Sequence, residues 1–180
     1  QEPQSLAADV PIDETKKTQL ANPSGYAQFI VHDLPSHLTF LALFGVAQSY
    51  FSQGHFDIAQ TTIVQAISTT IGMAEVPIGL ADAYYRLAWL EDQSSDRIES
   101  AFDNYSRAIA LDPRYSKAYN NRGILFINKD EPDRAIADFN KVIDLEQNDP
   151  IGYNNRGYAY SVKGDDDAAI TDYDAAIALD

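Results

Sequence analysis

Cysteine is absent from the 180 residues. That excludes disulfides, a thiol nucleophile and thiolate-bound zinc, while leaving the compartment open. Positive charge is scarce: 13 Lys and Arg stand against 27 Asp and Glu, for a net charge of −14. Such a surface repels nucleic-acid phosphates and anionic lipid, so neither is expected as a main partner. Solubility, or a basic protein partner, accounts for the acidity. Long apolar runs are also missing; the longest, roughly residues 38–47, is too short to span a bilayer. The nine glycines are scattered and form no phosphate loop of the P-loop or dinucleotide type. The three histidines, His32, His37 and His55, do not stand at metal-ligand or triad spacing. The many carboxylates read as a solvated face rather than as acid–base pairs. No enzymatic activity, metal or cofactor is expected.

What is present is a repeat. Hydrophobic residues make up 45% of the chain, enough for a sizeable core. The pentapeptide Tyr-Asn-Asn-Arg-Gly stands at 119–123 and again at 153–157, an offset of 34. At that offset Ala135, Ile136 and Asp138 fall on Ala169, Ile170 and Asp172, and Phe139 falls on Tyr173. Ile143 and Leu145 fall on Ile177 and Leu179. Apolar residues recur every three or four positions over about 116–128 and 132–145, which predicts two amphipathic helices per unit. Lys129-Asp130-Glu131-Pro132 supplies the turn, with Pro at a helix start and acids near its positive end. In the next unit Gly164 breaks the chain and Asp165, Asp166 and Asp167 open the second helix. Their spacing is wrong for an EF-hand, so helix capping is the expected role.

A helix–turn–helix unit of this length resembles the tetratricopeptide repeat. That family expects a bulky, a small and an aromatic residue in the first helix. Tyr119, Gly123 and Phe126 match, as do Tyr153, Gly157 and Tyr160. For the second helix Ala135, Phe139 and Val142 match, and so do Ala169, Tyr173 and Ala176. Small residues at these places let two helix backbones approach, and the aromatics fill the gaps. An upstream unit carries Tyr84, Leu87, Ala88, Ala101, Tyr105 and Ala108, with Glu91 in place of the aromatic and a longer turn. A divergent first unit carries Leu43, Ala47, Tyr50, Gly54, Ala59, Ile63 and Ala66. The resemblance implies an all-α, right-handed α-solenoid of four tetratricopeptide-like units, about 40–73, 81–115, 116–149 and 150–180, with an extended N-terminal leader. The last unit is incomplete or uncapped. Residues 1–37 form the leader, mobile to about 24, with an apolar segment at 26–35 expected to pack on the first unit. Gln1 is not a start methionine, so upstream residues are expected to have been removed. The terminal helix lacks a polar cap, so either the chain continues past Asp180 or this face meets another molecule.

The resemblance also implies a concave groove lined by the first helix of each unit. It places Phe44, Gln48 and Phe51 there, followed by Tyr85, Trp89 and Asp92, then Lys117, Asn120, Ile124 and Asn128, then Asn154 and Tyr158. Aromatic anchors beside amides suit a peptide ligand, and a hydrophobic or basic segment is favoured. The Lys, Arg and Asn clamp of one subclass is matched only in scattered form, by Lys117, Asn121 and Arg86, and is not expected. Arg122 and Arg156 occupy positions that are usually apolar, and Asp138 and Asp172 recur at the same offset. An Arg–Asp pair within each unit or between neighbours is predicted. The repeat type is similar to those common in bacterial, notably photosynthetic, and plastid proteins, which often serve assembly or quality control. The expected function is therefore a protein-interaction scaffold or adaptor. The alternatives are a homodimer through the C-terminal helix, self-occupancy of the groove by 26–35, or the adaptor region of a larger enzyme or lipoprotein. A cytoplasmic location is favoured, with an exported one, periplasmic or thylakoid-associated, as the alternative.

Overall fold

The structure, a computed structural model, describes residues 36–179. The leader segment at 26–35, with His32, lies outside them. Among the described residues there are eight α-helices and no strand. They are α1 (Ser36–Ser52), α2 (Phe56–Ser68), α3 (Leu80–Asp92), α4 (Ile98–Leu111), α5 (Ser116–Asn128), α6 (Pro132–Leu145), α7 (Pro150–Lys163) and α8 (Asp166–Leu179). The chain divides into two compact units between Thr69 and Thr70. That division falls inside the expected array, near the end of its first expected unit, about 40–73.

In the first unit α1 packs on α2. Phe40, Leu43, Phe44 and Ala47 make the buried stripe of α1, and Ala59, Thr62, Ile63 and Ala66 that of α2. Both follow the i, i+3, i+4, i+7 spacing of one helix face. Gly54 takes a left-handed φ of 79° in the tight turn between them. Phe51 and Phe56 meet edge to face across it, with centroids 5.5 Å apart.

The second unit holds three hairpins, α3–α4, α5–α6 and α7–α8, with α4 packed on α5 and α6 on α7. Each second helix buries residues drawn from the same set of positions. These are Ala101, Asn104, Tyr105 and Ala108 in α4, then Ala135, Asp138, Phe139 and Val142 in α6. In α8 the set is Ala169, Asp172 and Ala176. The small residues serve close approach: a Cβ added at Gly123 would lie 2.7 Å from the Phe139 ring. Helix ends are set locally. The Asp149 side chain accepts from the Ile151 amide ahead of Pro150, and Asp165 accepts from the Ala168 amide. Asp165 thus caps α8.

Candidate binding face

The residues that fix the helices against one another come first. The i+3 position of every second-helix stripe is polar, and burial demands a partner there. In α2 the Thr62 hydroxyl donates to the Ile58 carbonyl at 2.7 Å. In α4 Asn104 donates to the buried Glu91 carboxylate at 2.7 Å, which accounts for Glu91 replacing an aromatic. In α6 and α8 the residues are Asp138 and Asp172, 5% and 4% exposed. Arg122 grips Asp138 with bonds of 2.9 and 2.8 Å, and Arg156 grips Asp172 with two of 2.7 Å. Each arginine also reaches the preceding unit. Arg122 donates to Ser106 at 3.1 Å and Arg156 to Asn140 at 2.6 Å. The pairs therefore lie within units, and the same guanidinium ties units together.

A second line of polar contacts crosses the first helices. Asn155 donates to Asn120 at 2.7 Å, Asn120 to Asn121 at 3.2 Å, and Asn121 to the Tyr105 hydroxyl at 3.1 Å. Tyr105 is also hydrogen-bonded to Asp92. Burial pushes the Asp92 carboxyl above its usual range, and pushes the Tyr105 hydroxyl well up as well. Tyr115 bonds Asp82 at 2.6 Å and packs edge to face on Tyr85, at 5.0 Å between centroids. These contacts hold α3, α5 and α7 side by side. The signal in the sequence was the second asparagine of each pentapeptide, which periodicity alone does not separate from the first.

The outward face of α3, α5 and α7 carries equivalent residues in rows. One row is Trp89, Ile124 and Tyr158, with Trp89 half-buried, Ile124 40% exposed and Tyr158 54% exposed. Beside it run Tyr85, Asn120 and Asn154, of which the first two are half-buried and Asn154 is exposed. Lys117 and Asn128 are exposed on α5. The expected lining divides between core and surface. Phe44 is a correction: it is 5% exposed and stacks on Phe40 at 5.6 Å, so it belongs to the core of the α1–α2 hairpin. Its place at i+4 from Phe40 puts it on the buried stripe. Gln48 and Phe51 are half-buried in that same first unit. Asn120 is engaged at both ends of its amide, whereas Asn154 is the outward-facing member of the two. Among the described residues no group of three or more His, Asp or Glu is placed to hold a metal ion. No described helix is long and apolar enough to cross a membrane.

Comparison with known proteins agrees with this geometry. Residues 116–149 and 152–180 each match a tetratricopeptide repeat model. No curated protein matches the chain. Among solved structures the chain is similar to MamA, at 25% identity over 92% of this chain and 84% of that one, with a TM-score of 0.72. YrrB, described as a TPR protein with an unusual peptide-binding site, is 19% identical over 92% and 79%, with a TM-score of 0.70. BtubC from P. vanneervenii is 22% identical over 92% and 74%, with a TM-score of 0.71. At these identities the likeness concerns the fold.

Proposed function

Residues 116–149 and 152–180 are tetratricopeptide repeats, and from that premise we propose that the chain is a protein-interaction scaffold whose α3–α5–α7 face holds a peptide segment. The observation that carries this reading is the row Trp89, Ile124 and Tyr158. One apolar or aromatic side chain stands at the same register in three successive helices, and two of them keep 40% and 54% of their surface open. Large side chains repeated outward at one register are anchors for a partner rather than packing for the fold. Neighbouring helix axes lie about 8–10 Å apart, the span of three residues in an extended strand. A ligand with an apolar residue at every third position therefore meets the row in step. Asn154 and Lys117 flank it with groups for the ligand's backbone and carboxylates. The acidity of the chain favours a basic or hydrophobic segment, and YrrB, whose fold is similar, is described as peptide-binding. A role as an adaptor in assembly or quality control of a complex fits such a face.

An array of twelve-residue peptides of varied charge and apolar spacing tests the proposal. Retained peptides should carry apolar residues every third position and net positive charge. The combined Trp89→Ala and Tyr158→Ala variant should bind them at least about thirtyfold more weakly, the loss of roughly 2 kcal/mol typical of an anchor. Its helical circular dichroism should be unchanged. Equal retention by the variant would overturn the assignment.

A further inference from the structure

Asp92 stands where nothing in the fold needs a charge. In register with the row Trp89, Ile124 and Tyr158, its equivalents in the next two units are Ile127 and Ser161. It is half-buried and ends α3, where an acid meets the negative pole of the helix. Other aspartates of the array that lie partly or fully buried hold cations. Asp138 and Asp172 take Arg122 and Arg156, and Asp82 takes Arg86. No ion pair among the described residues includes Asp92. Its neighbour Glu91 is turned into the hairpin and bonded by Asn104, which adds negative charge without relieving any.

The carboxylate is nevertheless held in place. The Tyr105 hydroxyl bonds it, and Asn121 donates to that hydroxyl at 3.1 Å. Asn121 is also hydrogen-bonded to Tyr85, whose ring lies 5.9 Å from that of Tyr105. One unit on, Phe139 replaces Tyr105 and has no hydroxyl, and Asn155 turns to Asn120 instead. The support for Asp92 is thus built in this unit and not in the next. Tyr85, Trp89 and Asp92 fall at i, i+4 and i+7 of α3, so two aromatic residues precede the carboxylate on one helix face. A carboxylate accepts about four hydrogen bonds, and Tyr105 supplies one of them.

We propose that Asp92 is the specificity-determining residue of the α3–α5–α7 face, receiving an arginine of the bound peptide and so fixing which end of the ligand meets α3. This rests on the reading of that face as a peptide row, and it deepens that reading. Three evenly spaced anchors accept a ligand in either direction or shifted by one step, and a single carboxylate at one of them removes the choice. Arginine is the fitting cation. Its planar, weakly hydrated guanidinium forks onto a carboxylate and stacks on aromatic faces, whereas the lysine ammonium gives up more hydration at a half-buried site. Lys117 does not compete for the place. It follows Tyr115, which bonds Asp82 in the first turn of α3, about 15 Å along the helix from Asp92.

The probes are N-acetyl-argininamide, its uncharged citrulline counterpart and N-acetyl-lysinamide, each titrated into ¹⁵N-labelled protein. The arginine probe should shift the Trp89 indole N–H and the Asn121 side-chain amide, and the citrulline probe should shift neither. Asp92→Asn keeps an acceptor for Tyr105 and should abolish the arginine shifts. In peptides retained by the array, exchanging arginine for citrulline should weaken binding about tenfold to the parent, as for one charged hydrogen bond. Against Asp92→Asn the same exchange should change affinity less than about twofold. The variant should unfold at a denaturant concentration no lower than the parent's, since it removes a charge that no cation of the fold satisfies. A lowered midpoint would mark the carboxylate as structural and overturn the proposal. Absence of arginine shifts in the parent, or their survival in Asp92→Asn, would overturn it too, and lysine shifts of equal size would overturn the choice of arginine. Peptides that bind through Trp89 and Tyr158 with no preference for arginine would overturn it while leaving the row in place. Arginine shifts at Trp89 with no peptide retained would support the subsite and remove the row.

Discussion

At the scale of single residues, one buried slot is solved three ways. The i+3 position of the second helix is threonine bonded to its own backbone, asparagine bonded to Glu91, or aspartate gripped by an arginine. The last solution places a nearly buried carboxylate under a guanidinium that also lies within 6 Å of the Phe102 and Phe126 rings. Removing one partner leaves the other charged and desolvated. Asp138→Ala should therefore cost about 3–5 kcal/mol in urea unfolding, while Arg122→Leu with Asp138→Leu should cost far less, because no charge is left behind. Equal losses for the two variants would mean the pair acts through shape alone. This pair was legible in the sequence because both partners recur at one offset, and coincidence of period implies proximity. The contact from Asn155 to Asn120 was not. Two adjacent asparagines share a period, and only the helix phase decides which one faces the neighbouring unit. Phe44 was misplaced for a related reason, since positions i+3 and i+4 of a stripe are both buried and α1 spends its i+4 on an aromatic.

At the scale of elements, the helices follow from spacing and the turns from a few φ angles. The pattern read over about 116–128 and 132–145 coincides with α5 and α6, since three- and four-residue spacing over a dozen positions admits no strand. The turn ahead of α4 was legible only as too long, and the structure fills it with a 3₁₀ turn at Ser95–Arg97. The α5–α6 turn hides a strained residue that composition does not reveal. Asp130 has a φ of 59°, and its equivalent one repeat later is Gly164 at 84°. A left-handed residue with a Cβ costs about 1–2 kcal/mol, against about 0.5–1 kcal/mol for glycine's extra freedom when unfolded. Asp130→Gly should thus stabilise the protein by on the order of 0.5 kcal/mol, measured as a raised denaturation midpoint at unchanged slope. A lowered midpoint would show that the Asp130 side chain contributes more than its backbone costs.

At the scale of the molecule, stability is a sum over neighbouring hairpins, so it varies along the chain. The segment between Thr69 and α3 exposes Ile71, Val76 and Ile78 and belongs to no helix, so among the described residues a glutamate-specific protease should cut first after Glu75. Initial cleavage within α4 or α5 would contradict the division into two units. Within the second unit, α4, α5 and α6 each have packed helices on two sides, whereas α8 packs chiefly on α7. α8 buries Ala169, Asp172 and Ala176 but exposes Ile170 and Ile177 at 58% and 74%. Small side chains bury little apolar area, so α8 has the weakest hold on the array. Amide exchange should be fastest in α8 among α3–α8 and slowest in α4 and α5, whose cluster of Ala88, Ala101, Tyr105, Ala108, Ala118 and Leu125 is closed on both sides. Exchange in α8 as slow as in α5 would mean that its open face is covered in solution. Dilution then separates the cases, since cover by another molecule is lost as concentration falls and cover by the chain itself is not.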